Sequence, residues 1–159
     1  MTLIGIDPAF RKTGFAVVVI DEAREAQGYM FRSFLDFIQW VPLQDFGPPP
    51  IYVGVENSNM QNKTFNPKAT PKEHRNVGAN QAASQYTVDY CRYYFGKEYV
   101  FEISPRQKGR KWTAGEFKAI AKQDGYKIIG KFNQDQRDAY QIATQTKKLA
   151  SFRAAKIRV

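Results

Sequence analysis

The chain has 159 residues, 43% hydrophobic and 14% aromatic, too apolar for a disordered chain, and roughly 100 to 200 residues per domain makes one domain, 1–159, the expectation. Lys and Arg number 24 against 15 Asp and Glu, a surplus of +9 that attracts polyanions, nucleic acid first among them. No stretch approaches the roughly 20 apolar residues of a membrane span, MTLIGID lacks a basic region ahead of its apolar run, and Cys91 is the only cysteine; membrane, secreted, disulfide and cysteine-zinc classes drop out, and a reducing cytoplasmic setting is expected.

Leu3 to Asp7 (LIGID) and Thr13 to Ile20 (TGFAVVVI) read as two strands of a β-meander joined by a tight turn. Tyr29 to Phe34 supplies a third strand before an amphipathic piece around Asp36 to Val41. After the prolines at 48–50, Ile51 to Val55 (IYVGV) has a buried-strand pattern ending in Glu56. From Asn57 to Asn76 the composition turns polar and basic, which predicts a long exposed loop. Ala79, Ala83, Tyr86, Tyr90 and Tyr93 then recur at helical spacing until Gly96, and Tyr99 to Ile103 (YVFEI) is another strand. Thr113 and Glu116 form a T-x-x-E capping box for a helix running to Gly125, and Asn133 with Gln136 caps a last helix. Beyond it lies a basic segment, Lys147 to Val159. This order predicts an α/β fold, a mixed five-stranded sheet flanked by helices.

Four acidic residues carry the chemistry. Asp7 ends the first strand and Glu56 the fourth, while Asp135 and Asp138 share one face at the start of the last helix. Strands one and four side by side would bring their C-terminal ends to one edge. Clustered carboxylates repel, and hard divalent cations such as Mg²⁺ or Mn²⁺ resolve that repulsion; two of them roughly 3.5 to 4 Å apart can activate water and stabilise the leaving oxygen of a phosphodiester. A plainer reading exists for Asp135, since the helix dipole favours acids in a first turn by roughly 0.3 to 1 kcal/mol. Asp138 lies further in, beside Ala139 and Ile142, which favours a role for it.

Ile4-Gly5-Ile6-Asp7-Pro8, Thr13-Gly14-Phe15-Ala16-Val17, Val53-Gly54-Val55-Glu56 and Asp135-Gln136-Arg137-Asp138-Ala139-Tyr140-Gln141-Ile142-Ala143 together resemble the RuvC-type Holliday junction resolvases. Weaker agreement runs through 77–82 and 103–107, so the resemblance spans most of the chain. It implies a ribonuclease H-like fold, a homodimer, and a crossover junction endodeoxyribonuclease of DNA recombination and repair, in a bacterial or infected host cell, compact members occurring in phages and prophages. It also implies that Asp7, Glu56, Asp135 and Asp138 are catalytic residues and ligands of Mg²⁺, with Mn²⁺ able to substitute. A lysine is expected near the site after the fifth strand, with Lys108, Lys111 and Lys118 as candidates. The opening GIDP motif alone also resembles actin-like sugar kinases, whose second phosphate-binding lobe a chain of 159 residues does not contain.

The resemblance has departures: Asn59 and Met60 stand where resolvases carry an aromatic that probes the junction centre, and Phe65 is the candidate substitute. Candidate DNA contacts are Arg11, Lys12, Lys63, Phe65, Lys68, Lys72, Arg75, Lys108, Arg110, Lys111 and Lys118, with Trp112 as a further stacking residue. The lone His74 reads as a solvent-facing or phosphate-contacting side chain. Tyr86, Tyr90, Tyr93 and Tyr94 fit core or dimer-interface packing equally, and Cys91 fits a small core residue. Two rivals stand beside the resolvase reading: a broader branched-DNA or RNA nuclease of the same fold, and a non-catalytic nucleic-acid-binding module.

Overall fold

A computed structural model of the chain describes residues 1–9, 14–60 and 67–157. The β-branched runs form β1 (Thr2–Asp7) and β2 (Phe15–Ile20), which join β3 (Glu25–Phe31) in an antiparallel meander; β4 (Ile51–Glu56) pairs parallel to β1, and β5 (Val100–Ile103) parallel to β4. β3 lies upstream of its expected span because Ser33 ends it: the Ser33 hydroxyl accepts from the Asp36 N–H at 3.1 Å and caps helix α1 (Phe34–Trp40).

Among the described residues the sheet has six strands rather than the expected five. Lys127–Ile129 forms β6, parallel to β3, giving the order β5-β4-β1-β2-β3-β6. Three residues are too few to show a period. What makes them a strand is the partner edge: the Lys127 N–H donates to the Arg24 carbonyl at 2.9 Å, and its ammonium meets Glu25 at 2.7 Å.

The predicted loop 57–76 is also shorter. Helix α2 (Pro71–Phe95) begins inside it, because Thr70 and Glu73 form a complete capping box with Pro71 in the first turn. The same device starts a single helical turn, α3 (Pro105–Lys108), through Ser104 and Gln107, and then α4 (Ala114–Gln123) through Thr113 and Glu116. The long last helix, α5 (Gln134–Ile157), is capped as expected, with the Asn133 and Gln136 side chains each accepting the other's backbone N–H at 2.9 Å.

Period-two alternation along the strands divides the interior into two layers. Ile4, Ile6, Phe15, Val17, Val53 and Val55 face α1 and α2, where Phe37, Val88 and Cys91 complete a ring-rich core. Leu3, Ala16 and Val18 face α4 and α5, meeting Phe117, Ala139, Tyr140 and Ala143. On this second face Gly5 and Gly54 stand opposite each other in the β1–β4 register. A Cβ on Gly5 would collide with the Ala139 carbonyl, and one on Gly54 with the Thr146 hydroxyl. The missing side chains let α5 lie directly on the two strands that end in Asp7 and Glu56. Among the described residues no helix is long and apolar enough to cross a membrane.

Candidate active site

Alternation decides where the strand-end carboxylates go. Asp7 shares its side of β1 with Leu3 and Gly5, and Glu56 its side of β4 with Tyr52 and Gly54, so both turn toward the face that α5 covers. α5 enters at that edge carrying Asp135 in its first turn and Asp138 one turn on, the latter only 2% exposed. Asp7, Glu56 and Asp135 line one open cavity of about 480 Å³, together with Ser84 of α2 and Lys111. A larger cleft of about 550 Å³ lies toward the other end of α5, beside Tyr126 and Phe152. It holds no carboxylate cluster.

Lys108, at the end of α3, is the lysine that reaches the cluster. Its ammonium stands 2.7 Å from Glu56 Oε2 and 3.3 Å from Asp138 Oδ2, with a side chain only 10% exposed. Lys111 is mostly exposed and lies 4.0 Å from the same Asp138 oxygen. Lys118, the third candidate, is on an exposed position of α4 and forms no ion pair with these acids. The other Asp138 oxygen accepts from the Gln134 amide at 2.7 Å.

The charges show in the proton affinities. Burial first, then the Glu56 carboxylate, pushes Asp7 well above the usual aspartate range; Asp138 and Asp135 add to this and Lys108 opposes it. Asp135 is raised by burial and by Asp138, against Lys111 and Lys108. Burial alone would lower Lys108, but Asp7, Glu56 and Asp138 outweigh it and hold the ammonium above its ordinary value. Among the described residues no three acidic, cysteine or histidine side chains stand close enough together, as placed, to hold an ion.

The basic residues divide. Lys72 and Arg75 are exposed on the first turns of α2, not in a loop, with Lys68 exposed just before it. Arg110 is committed to Glu116 through two hydrogen bonds, at 2.6 and 3.1 Å. Arg11, Lys12, Lys63 and Phe65 lie outside the described residues. Trp112 packs its ring against the core beside Tyr140 rather than standing free for stacking. His74 is exposed on α2, and Cys91 is buried, its thiol pushed up by burial.

A polar relay behind Glu56 went unread in the sequence. The Asn57 amide donates to Glu102 at 2.6 Å, and Glu102 is gripped by Arg92 of α2 at 2.6 Å. Asn59, in the place of the expected aromatic, turns its amide inward to Asn57 Oδ1 and to the Gln81 carbonyl, both at 2.9 Å. The one sequence signal was a glutamate inside the apolar YVFEI run.

No protein-family model matches the chain, and a search of curated proteins finds no match either. Among solved structures there are matches to its α/β fold with a six-stranded mixed sheet. One similar structure is T. thermophilus RuvC in complex with Holliday junction substrate, with a TM-score of 0.52 over 96% of each chain at 17% identity. That likeness is one of fold.

Proposed function

We propose that this chain is a divalent-metal-dependent, structure-specific DNA endonuclease that resolves four-way junctions by paired nicking, as a homodimer. One observation carries the proposal: Asp7, Glu56, Asp135 and Asp138, from three distant segments, converge at one sheet edge of a chain with a surplus of +9. A protein that only bound nucleic acid would gain nothing from carboxylates turned toward phosphate.

The donor set fits a hard divalent cation. All four groups offer carboxylate oxygens, and Asp7 is held above its usual range by burial and by the Glu56, Asp138 and Asp135 carboxylates, which Lys108 does not offset. Asp7, Glu56, Asp135 and Asp138 would hold Mg²⁺ or Mn²⁺, which supplies Lewis-acid activation of the attacking water and charge neutralisation at the leaving oxygen. Gln134 orients Asp138 through one oxygen while Lys108 holds the other and draws Glu56 toward it. Lys111, at the cavity rim, meets the phosphate beside the scissile bond. Lys68, Lys72, Arg75, Lys118 and the basic end of α5 neutralise phosphates along the DNA arms, which makes binding steeply salt-dependent. Tyr86 and Tyr93, 63% and 87% exposed, offer aromatic surface on α2 for a second copy.

Asn59 favours a second reading, a nuclease of the same fold with looser selectivity among branched DNAs. Its amide is folded back onto Asn57 and α2, so this position presents no ring to a junction centre. One experiment tests both. The protein and its Asp138→Asn variant are given a four-way junction, a matched duplex and a flap, each with Mg²⁺, Mn²⁺ or EDTA. Paired, metal-dependent nicking of the junction, lost in the variant, is the expected result; equal cutting of junction and flap selects the second reading. Tight binding without cutting under any metal overturns both.

A further inference from the structure

The lysines at the cluster belong to a short segment with little hydrophobic anchorage of its own. After α3 the chain turns through Gly109, at φ +88°, and runs through Arg110, Lys111 and Trp112 to the α4 cap. Of its side chains only Trp112 reaches the core. Something else must hold the backbone that aims Lys108.

Two side chains of α5 do so. The Gln141 amide donates to the Lys108 carbonyl at 3.4 Å and to the Arg110 carbonyl at 3.0 Å. Arg137, one turn earlier on the same stripe, donates from Nε to the Trp112 carbonyl at 3.2 Å and from Nη1 to the Phe132 carbonyl at 3.0 Å. Its Nη2 reaches Gln134 Oε1 at 2.9 Å, and Gln134 in turn donates to Asp138 at 2.7 Å. The stripe that carries Asp138 therefore clips the lysine segment at three carbonyls and orients its own carboxylate.

Gln141 is an expensive choice for stability alone. It is 2% exposed, flanked along the chain by the buried Tyr140, Ile142 and Ala143, and its Oε1 is buried with no hydrogen-bond partner among the described residues. An apolar residue of similar size would avoid leaving that acceptor unsatisfied. The arrangement makes sense if holding the segment matters more than the last increment of stability.

We infer that Arg137 and Gln141 are positioning residues, a strap that holds the 108–112 backbone so that the Lys108 ammonium meets Glu56 and Asp138. The catalytic consequence rests on the proposed nuclease activity; the strap itself does not.

The test uses the full chain with Gln141→Met, Arg137→Met and Arg137→Lys, each alone, and Gln141→Met combined with Lys108→Ala. Metal-free protein is treated with an amine-reactive ester and labelling is read site by site by mass spectrometry. Lys108 labelling should rise about tenfold in Gln141→Met and Arg137→Met as the segment opens, with Lys118 unchanged as the internal control. Gln141→Met should keep or raise the melting temperature while junction cutting falls about 10- to 100-fold in kcat at little change in KM. Arg137→Lys keeps the charge but not the planar fork, and should not restore full activity. In the Lys108→Ala background Gln141→Met should cost almost nothing further, because it acts through that lysine. Unchanged Lys108 labelling, or losses that multiply in the double variant, overturns the strap. Should the parent protein cut no substrate, the nuclease reading fails by itself and the labelling ratio alone decides the strap.

Discussion

The two faces of the sheet are built on opposite principles. Toward α1 and α2 the interior is filled by large rings: Phe15 lies 5.0 Å from Phe37, Phe31 5.0 Å from Trp40, and Tyr29 4.8 Å from Trp40. Toward α5 the contact with β1 and β4 is made by almost nothing, Gly5 and Gly54 against Ala139, Ala143 and Thr146. Rings supply apolar area and tolerate exchange, because neighbours can repack around them. Backbone laid on backbone tolerates no added atom, and for that reason it fixes one element's position relative to another. The chain puts its bulk where only burial is needed, and its smallest residues where Asp7, Glu56 and Asp138 must meet.

The largest expected effect breaks the close face. Gly5→Val drives a side chain into the Ala139 carbonyl and the Ala143 N–H, which cannot yield without moving α5; it should cost about 3 kcal/mol in urea denaturation and remove junction cutting with it. Next comes a variant that separates chemistry from stability on that same face. Asp7→Asn should abolish cutting yet raise the urea midpoint in EDTA at neutral pH, because it removes a buried charge that Glu56, Asp138 and Asp135 disfavour. Added Mg²⁺ should raise the melting temperature of the parent but not of this variant.

The ring-rich face should answer more mildly. Phe37→Leu keeps an apolar side chain among partners that can adjust, and should cost about 1.5 kcal/mol while cutting stays within about threefold of the parent. The smallest effect lies on the surface, away from both faces. Glu116 is held at about 2, below its ordinary 4.5, first by the Arg110 guanidinium and then by the Thr113 N–H. A depressed acid contributes stability that is complete above its unfolded value and is lost as the pH falls, here from about 4.5 toward 2. Glu116→Gln should flatten that part of the acid limb in circular-dichroism melts between about pH 2 and 6, through a small loss of stability at neutral pH, reduced by solvent screening, that disappears toward pH 2.

Elements with a long period or a complete cap were legible in advance. β1, β2, β4, β5 and the start of α5 lie where apolar patterning and the Asn133–Gln136 box place them. Two of the misses had signals present but unread. Thr70-x-x-Glu73 is the same capping box as Thr113-x-x-Glu116, yet the polar composition around it masked the first turns of α2. Ser104-x-x-Gln107 likewise starts α3. β6 had no signal to read, being three residues made into a strand by the edge of β3. At the site, the four carboxylates were named from strand ends and helix spacing; β1–β4 pairing brings Asp7 beside Glu56, and the seating of α5 on Gly5 and Gly54 brings Asp135 and Asp138 to them. Which lysine reaches them was left open among three, because a segment's reach depends on what clips its backbone; the clips, Arg137 and Gln141, sit in another helix.

The sequence by itself determined the alternation that turns Asp7 and Glu56 to one side of the sheet, the i, i+3 pairing of Asp135 with Asp138, and the glycines that clear a path for the last helix. These are local consequences of backbone period and of the presence or absence of a Cβ. Only the tertiary structure decided that Lys108 rather than Lys111 or Lys118 lies against Glu56 and Asp138, that Asn59 folds inward, and that Asp7 is held above its usual proton affinity. Each of those depends on distances between groups far apart in the chain, which charge, burial and hydrogen bonding set together once α5 has settled on β1 and β4.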